Sequence, residues 1–380
     1  MKVLIHAIGD SQQNVARFLS GLLPALQNYN SILNSKPVYY VLVPRKIRTI
    51  APTSKIKILK VPNWLCSNAL FQLCLNNFLI PIVIKTKGIN CLVTLSTLGP
   101  FWGYKQHIHF QENPFVFSKE HFHRLSSRQK IIHTIRKALL FVQINRAKKV
   151  VVPSNSMLSS IPKNLVEADP DKFIVFPHAL EKHSQTDVAQ VPTRMVDLAK
   201  NSSLIFLYPD YYGPQKNIFT LLRALGRLKR IEKLQFKCLL TFQLKDCGED
   251  QVNLSTILRQ EQIENNVAFL GELSIQEMDY LFRKAQCLVF PSLLESFAFP
   301  LAQALSYGLP IVAADTSINR EICQNGALYY PPLDSERLAA QLKSVYDSSV
   351  RERLSSEGKS QFASRDWRWS TYVREFEKLL

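Results

Sequence analysis

The sequence predicts an α/β chain made of two doubly wound parallel-sheet domains. Short apolar runs rich in Val, Ile, Leu and Phe alternate with helical patterns along the whole chain, which is the rhythm of βαβ units. The chain has 380 residues and is 46% hydrophobic, more than one ordinary core accommodates. The rhythm also occurs twice, on either side of the polar stretch 181–200, EKHSQTDVAQVPTRMVDLAK, which has no apolar period and reads as a surface linker. The expected domains are 1–185 and 186–365, with a last helix over 366–380.

In the first half the strand signals are KVLIHAI (2–8), YYVLV (39–43), CLVTL (91–95), HIHF (107–110) and KVVVP (149–153). In the second they are LIFLY (204–208), FKCLL (236–240), VAFL (267–270), CLVF (287–290) and PIVAA (310–314). The most apolar segment, Leu65 to Ile84, contains Asn68, Gln72, Asn76, Asn77 and Pro81, which argues against a spanning helix of ~20 apolar residues. It reads as a core helix or a membrane-facing one. From Lys119 to Lys149 the pattern is a basic helix. Leu125, Ile132, Ile135, Leu139 and Val142 recur at helical spacing and read as its core stripe. Arg128, Lys130, Arg136, Lys137 and Arg146, with Arg45, Lys46 and Arg48, form an electropositive face. The ending RDWRWSTYVREFEKLL is an amphipathic helix with Trp369, Tyr372, Phe376 and Leu379 on one side.

The formal net charge is +17. Residues 1–185 hold 24 Lys and Arg against 7 Asp and Glu, whereas residues 186–380 hold 23 of each. The whole surplus therefore lies in the first half, which implies an anionic partner there: nucleic acid, an acidic membrane surface, or an anionic glycan or lipid phosphate. No RNA-binding aromatic cluster or DNA-reading motif accompanies the basic face, so nucleic acid is not expected. An anionic membrane surface is. The 7 cysteines are scattered without a CxxC pair and read as buried reduced thiols. MKVLIHAIGD reads as a strand and a turn rather than a signal peptide, so a cytoplasmic location is expected.

Chemistry concentrates in 287–334, CLVFPSLLESFAFPLAQALSYGLPIVAADTSINREICQNGALYYPPLD. A buried strand is followed by a turn bearing one acid, Glu295, then a Pro-started helix and a second strand. This order puts the carboxylate at the carboxyl edge of a parallel sheet, beside a helix N-terminus whose N–H groups and dipole favour a phosphate. The stretch resembles the C-terminal signature of the retaining glycosyltransferases of family 4, whose GT-B fold has two Rossmann-like domains facing across a cleft. In that family two glutamates eight positions apart serve the donor sugar and the nucleotide ribose. The pair here is Glu295 and Gln303, and the amide accepts a ribose hydrogen bond without the charge. The family's E-x-F-G-x-P turn is Glu295, Ser296, Phe297, Ala298, Phe299, Pro300, with Ala298 where glycine is usual. The resemblance implies that these residues bind the donor.

YPDYYGPQKNIFTLLRALGRL (208–228) reads as a strand end, a turn and a helix beginning near Lys216. A cation there opposes the helix dipole, which points to a ligand. In the resembling family the matching turn supplies an arginine and a lysine to the donor diphosphate. Lys216 fits the lysine, Gly213 stands at the arginine, and Arg320 or Arg17 is the candidate substitute. The resemblance also implies that Gly9 approaches the donor phosphates, and that Arg17, His109, Gln111 and Asn113 face the acceptor, with His178 near the hinge. His109 is not expected to be a base, because strand histidines usually pack. The one D-x-D, Asp169-Pro-Asp171, reads as a proline turn. Leaving-group stabilisation is therefore expected from Lys216, backbone N–H groups and the helix dipole, with no metal or cofactor.

The resemblance implies a retaining hexosyl or deoxyhexosyl transferase with Glu295 and Lys216 as catalytic residues. Its donor is a nucleotide-diphosphate sugar and its acceptor a lipid-linked or cell-surface glycan, as in lipopolysaccharide synthesis, at the cytoplasmic side of the inner membrane. The alternative is a non-catalytic binding subunit of a polysaccharide synthesis complex, suggested by Gly213 and Gln303.

Overall fold

The structure is a computed structural model that describes residues 1–8, 12–32, 37–67, 69–95, 98–100, 104, 106–180, 192 and 204–380. Gly9 and, apart from residue 192, the polar stretch 181–200 lie outside these residues. The chain divides into two compact units, Met1–Glu181 with Asp366–Leu380, and Lys182–Arg365.

The first unit is built on a seven-stranded parallel sheet in the order β3-β2-β1-β4-β5-β6-β7. Its strands are β1 (Lys2–His6), β2 (Val38–Pro44), β3 (Ile56–Val61), β4 (Cys91–Thr94), β5 (His107–Phe110), β6 (Lys149–Val152) and β7 (Phe173–Val175). One sheet face, with Val3, Ile5, Val41, Val93, Ile108 and Val151, is covered by the helix Gln12–Ile32 and by the last helix, Trp369–Leu379. Side chains alternate along each strand, so Leu4, Leu92 and Val150 face the other way. There they meet the helical pieces between Trp64 and Lys87 and the helix Ser127–Arg146.

The last helix is tightly seated. Phe18 lies 5.7 Å from both Trp369 and Tyr372, edge-on to each ring, and Val373 and Phe376 are fully buried. A Cβ at Gly21 would fall 2.1 Å from the Trp369 indole, so only glycine admits that ring. Gly21→Val is therefore expected to lower stability by about 1–3 kcal/mol, the usual cost of overpacking. Faster hydrogen exchange in 369–379 than in the second unit would check it.

The second unit has a six-stranded parallel sheet in the order β10-β9-β8-β11-β12-β13. These strands are β8 (Leu204–Tyr208), β9 (Phe236–Leu240), β10 (Val267–Phe269), β11 (Cys287–Phe290), β12 (Ile311–Ala314) and β13 (Leu328–Tyr330). The order reverses between β8 and β11, which makes their carboxyl ends the topological switch point where such sheets receive ligands. Six of the seven cysteines are buried and none is disulfide-bonded.

Three strands, β3, β7 and β13, were not expected from the sequence. Lys57 and Lys60 interrupt the apolar run of β3, and β7 and β13 have 3 residues each. The basic helix is two helices, Lys119–Arg124 and Ser127–Arg146, because Ser126 forms a reciprocal capping box with Gln129 and starts the second one. Its orientation is also corrected. The buried residues are Leu140, Gln143 and Ile144, whereas Ile132, Ile135 and Val142 of the expected core stripe are exposed and Leu125 and Leu139 only half-buried.

Candidate functional site

Lys216 lies in a single helical turn, Pro214–Lys216, that precedes the helix Ile218–Arg230 rather than opening it. Its backbone N–H donates to Gly213 O (2.9 Å), and Asn217 follows in the left-handed conformation (φ 53°). The turn folds the lysine side chain inward beneath β8 and β11. There its ammonium donates to Glu295 Oε1 (2.6 Å) and to Asp210 Oδ2, and lies 4.7 Å from the Tyr211 ring centroid. The Ser292 hydroxyl donates to the same Glu295 oxygen. Leu293 N–H donates to Gln215 O (2.8 Å), tying the two loops together.

The lysine is 2% exposed. Burial pulls its pKa down, but Glu295 and Asp210 outweigh that and hold it above the ordinary lysine value. Burial pushes Asp210 up to about 6, Lys216 opposing and Glu295 adding to the rise. Two carboxylates around one ammonium leave a local surplus of negative charge. Of the three ammonium N–H donors, two serve carboxylates and the third has no acceptor among the described residues. No donor among the described residues reaches Glu295 Oε2.

Beyond Glu295 the chain turns through Ser296 and the buried Phe297, whose ring is 5.0 Å from Phe299. Ala298 then adopts φ 58°, ψ 58°, and the helix Phe299–Tyr307 begins, with Pro300 in its first turn and Gly308 in the left-handed conformation at its end. Gln303 is half-buried one turn into that helix. A left-handed alanine is strained by about 1–2 kcal/mol. Ala298→Gly is therefore expected to raise stability by about 1 kcal/mol, read by urea denaturation, where an ordinary helix-flanking alanine would lose stability.

Asp210, Ser292 and Tyr211 were not anticipated. The sequence signal was a carboxylate two residues past a strand end and six before the lysine. Gly213 has φ −175°, extended backbone open to any residue, and a Cβ there would meet the Gln215 side-chain amide at 2.8 Å. Arg320, the expected substitute cation, is held in a fork by Asp315 (Nη2 to Oδ2, 2.7 Å) and stacked over Tyr329 at 4.3 Å.

In the first unit, Thr94 Oγ1 lies 3.0 Å from His107 Nε2 and 2.9 Å from His109 Nδ1, and His109 Nε2 lies 3.2 Å from Gln111 Oε1. Burial lowers the pKa of His6 and His109 to about 4 and that of His107 to about 3. Gln111 in turn donates to Asn113 O (2.9 Å), and the Asn113 side chain caps the turn Pro114–Val116. His109 and Gln111 are both fully buried and brace the sheet interior. Asn113 is half-buried and Arg17 exposed. His178 packs edge-on against Phe18, with Nε2 3.5 Å from Glu112 Oε1.

Two doubly wound parallel-sheet units in one chain are the architecture of the GT-B class of α/β proteins. The structure of sucrose-phosphate synthase from Thermosynechococcus elongatus superposes with a TM-score of 0.73 at 15% identity, covering 100% of this chain and 97% of that one. Residues 193–361, which contain Lys216 and Glu295, match the family model described as glycosyl transferases group 1. The O-antigen chain mannosyltransferase RfbU of Salmonella typhimurium is 26% identical over 209 residues, 54% of this chain and 53% of that protein. The O-antigen chain mannosyltransferase B of Escherichia coli is 28% identical over 162 residues, 42% of each. The match therefore spans about half the length of these curated relatives.

Proposed function

We propose that the chain is a glycosyltransferase that moves a hexosyl unit from a nucleotide-diphosphate sugar to a hydroxyl of a lipid-linked or cell-surface glycan, with retention of configuration. The Lys216–Glu295 pair at the switch point of the second unit carries this reading. The diphosphate sits at the N-terminus of the helix Phe299–Tyr307, takes the remaining N–H of Lys216, and needs no divalent metal. Glu295 Oε2 accepts from hydroxyls of the donor sugar, and Gln303 accepts from the ribose. As the bond from the sugar carbon to the phosphate oxygen breaks, its electron pair goes to that oxygen, where the ammonium and helix dipole stabilise the growing charge. The relatives' names support a mannosyl unit and an O-antigen-type acceptor. Such an acceptor would be met at the cytoplasmic face of the inner membrane, with Asn113 and Arg17 on its side.

Thermal denaturation against a panel of nucleoside-diphosphate sugars, in the presence of a chelator, tests the reading. One donor at about 100 times its Kd should stabilise by about 2.7 kcal/mol, and the product's one-bond anomeric C–H coupling should match the donor's configuration. An inverted product sinks the mechanism. If no nucleotide binds the wild type but one binds Gln303→Glu, the chain is a non-catalytic binding subunit instead.

A further inference from the structure

The place where a diphosphate would enter the second unit is already short of positive charge. Lys216 supplies one ammonium, and the two carboxylates that flank it, Asp210 and Glu295, supply two negative charges. Among the described residues no other cation pairs with either acid, and Arg320 is held by Asp315. A diphosphate brings two further negative charges to the same ammonium. Like charges gathered out of water force one of the groups to bind a proton.

Asp210 is the group placed to do so. Its side chain is only 10% exposed. Oδ1 accepts the N–H of Tyr211 (2.9 Å) and Oδ2 accepts from the Lys216 ammonium. Glu295 differs, because its Oε1 holds both Lys216 (2.6 Å) and Ser292 and its Oε2 is the oxygen left for the donor sugar. The other neighbours of Asp210 carry no charge. Burial pushes the phenols of Tyr208 and Tyr211 above their ordinary range, so both stay neutral, and the Thr241 hydroxyl donates to the Asp210 backbone oxygen (3.2 Å). Against the pull of burial, Glu295 and Asp210 hold Lys216 above the ordinary lysine value, so it keeps its proton throughout. Burial has already lifted Asp210 to about 6 without a ligand.

We propose that Asp210 is a positioning residue that takes up a proton from solvent as the diphosphate of a nucleotide sugar enters beside Lys216. With Asp210 neutral, the ammonium answers to Glu295 and the phosphates alone, and the N–H it had turned to Asp210 is freed for a phosphate oxygen. The sign follows from the charges. The ligand raises the carboxyl further, so affinity is greatest below about pH 6 and falls as pH rises. The proposal deepens the glycosyl-transfer reading and rests on it.

The test is titration calorimetry of the full chain with GDP-mannose, UDP-glucose, UDP-N-acetylglucosamine and dTDP-rhamnose, in two buffers of different ionisation enthalpy, from about pH 5.5 to about pH 8.5. A diphosphate esterified at both ends lacks the proton that a terminal phosphate loses near about pH 6, so the ligand adds no linkage of its own. The wild type should take up about a third of a proton or more per donor at pH 7, and above about pH 6 its affinity should fall by up to about tenfold per pH unit, the limit for one proton. Asp210→Asn fixes the neutral form. It should show no uptake and bind about tenfold tighter than the wild type at the alkaline end, whereas loss of a merely structural residue weakens binding. Glu295→Gln should still take up a proton, at lower pH, because Glu295 adds to the rise of Asp210. Donor binding without proton uptake in the wild type, or uptake that survives Asp210→Asn, overturns the proposal and leaves the glycosyltransferase reading standing. If none of the four sugar nucleotides binds the wild type at any pH, that reading falls and the proposal with it.

Discussion

Lys216→Met is expected to destabilise the protein by about 3–5 kcal/mol at pH 7.5 and to abolish donor binding, because it leaves two nearly buried carboxylates facing each other without their cation. The side chains of Asp210 and Glu295 are only 10% and 17% exposed, so water does little to replace the ammonium. The loss has a pH signature. Burial raises Asp210 from its ordinary 3.8 to about 6. A raised carboxyl contributes stability in full below about pH 4, and that contribution is lost as pH rises through about 6. Removing the opposing ammonium raises this carboxyl further. The gap in unfolding free energy between variant and wild type should therefore narrow as pH falls from 8 to 5. Urea titrations at several pH values measure it, and a constant gap would show that Lys216 matters only for packing.

Glu295→Gln is expected to do the opposite: little change in stability, but a loss of about 10²–10³ in kcat, the cost of removing one preorganised group from a site of charge development. The amide keeps the shape and can still accept from Ser292, and Lys216 keeps Asp210. If Glu295 served only to hold Lys216, donor affinity and rate would fall together. If Oε2 contacts the donor sugar as the bond breaks, kcat should fall far more than KM rises. Separate determination of kcat and KM decides, and wild-type rates in this variant would end the proposed mechanism.

Much of the second unit was legible because it is locally consistent. The runs LIFLY, FKCLL, CLVF and IVAA are too apolar to be anything but buried parallel strands, and a lone acid between a strand and a Pro-started helix has few places to go. Asp210 was missed because its proximity to Lys216 is created by the turn through Tyr211 to Gln215, which no periodicity encodes. The strand β3 was missed because Lys57 and Lys60 sit at a sheet edge, where exposure is tolerated. The helix Ser127–Arg146 shows a limit of another kind. A 3.6-residue period shows that Ile135 and Val142 share a side, but it does not say whether that side meets protein. Leu140 and Ile144 form an equally good stripe, and only the sheet beneath them settles which is inside. His109 shows the same limit in a strand: the run HIHF marks a strand but does not say that helices cover the face on which His109 lies.

The return of the last helix sets the order in which the protein can be completed on the ribosome. The core that holds Phe18, Val41 and Ile108 also contains Tyr372, Val373 and Phe376, which are made after the whole of the second unit, whereas Lys182–Arg365 is one uninterrupted stretch. The middle of the chain can therefore finish folding while its beginning still waits. Until residues 369–379 have been made, Gly21 and the helix around it lack the indole and rings that cover them, an open apolar groove that a chaperone could shield.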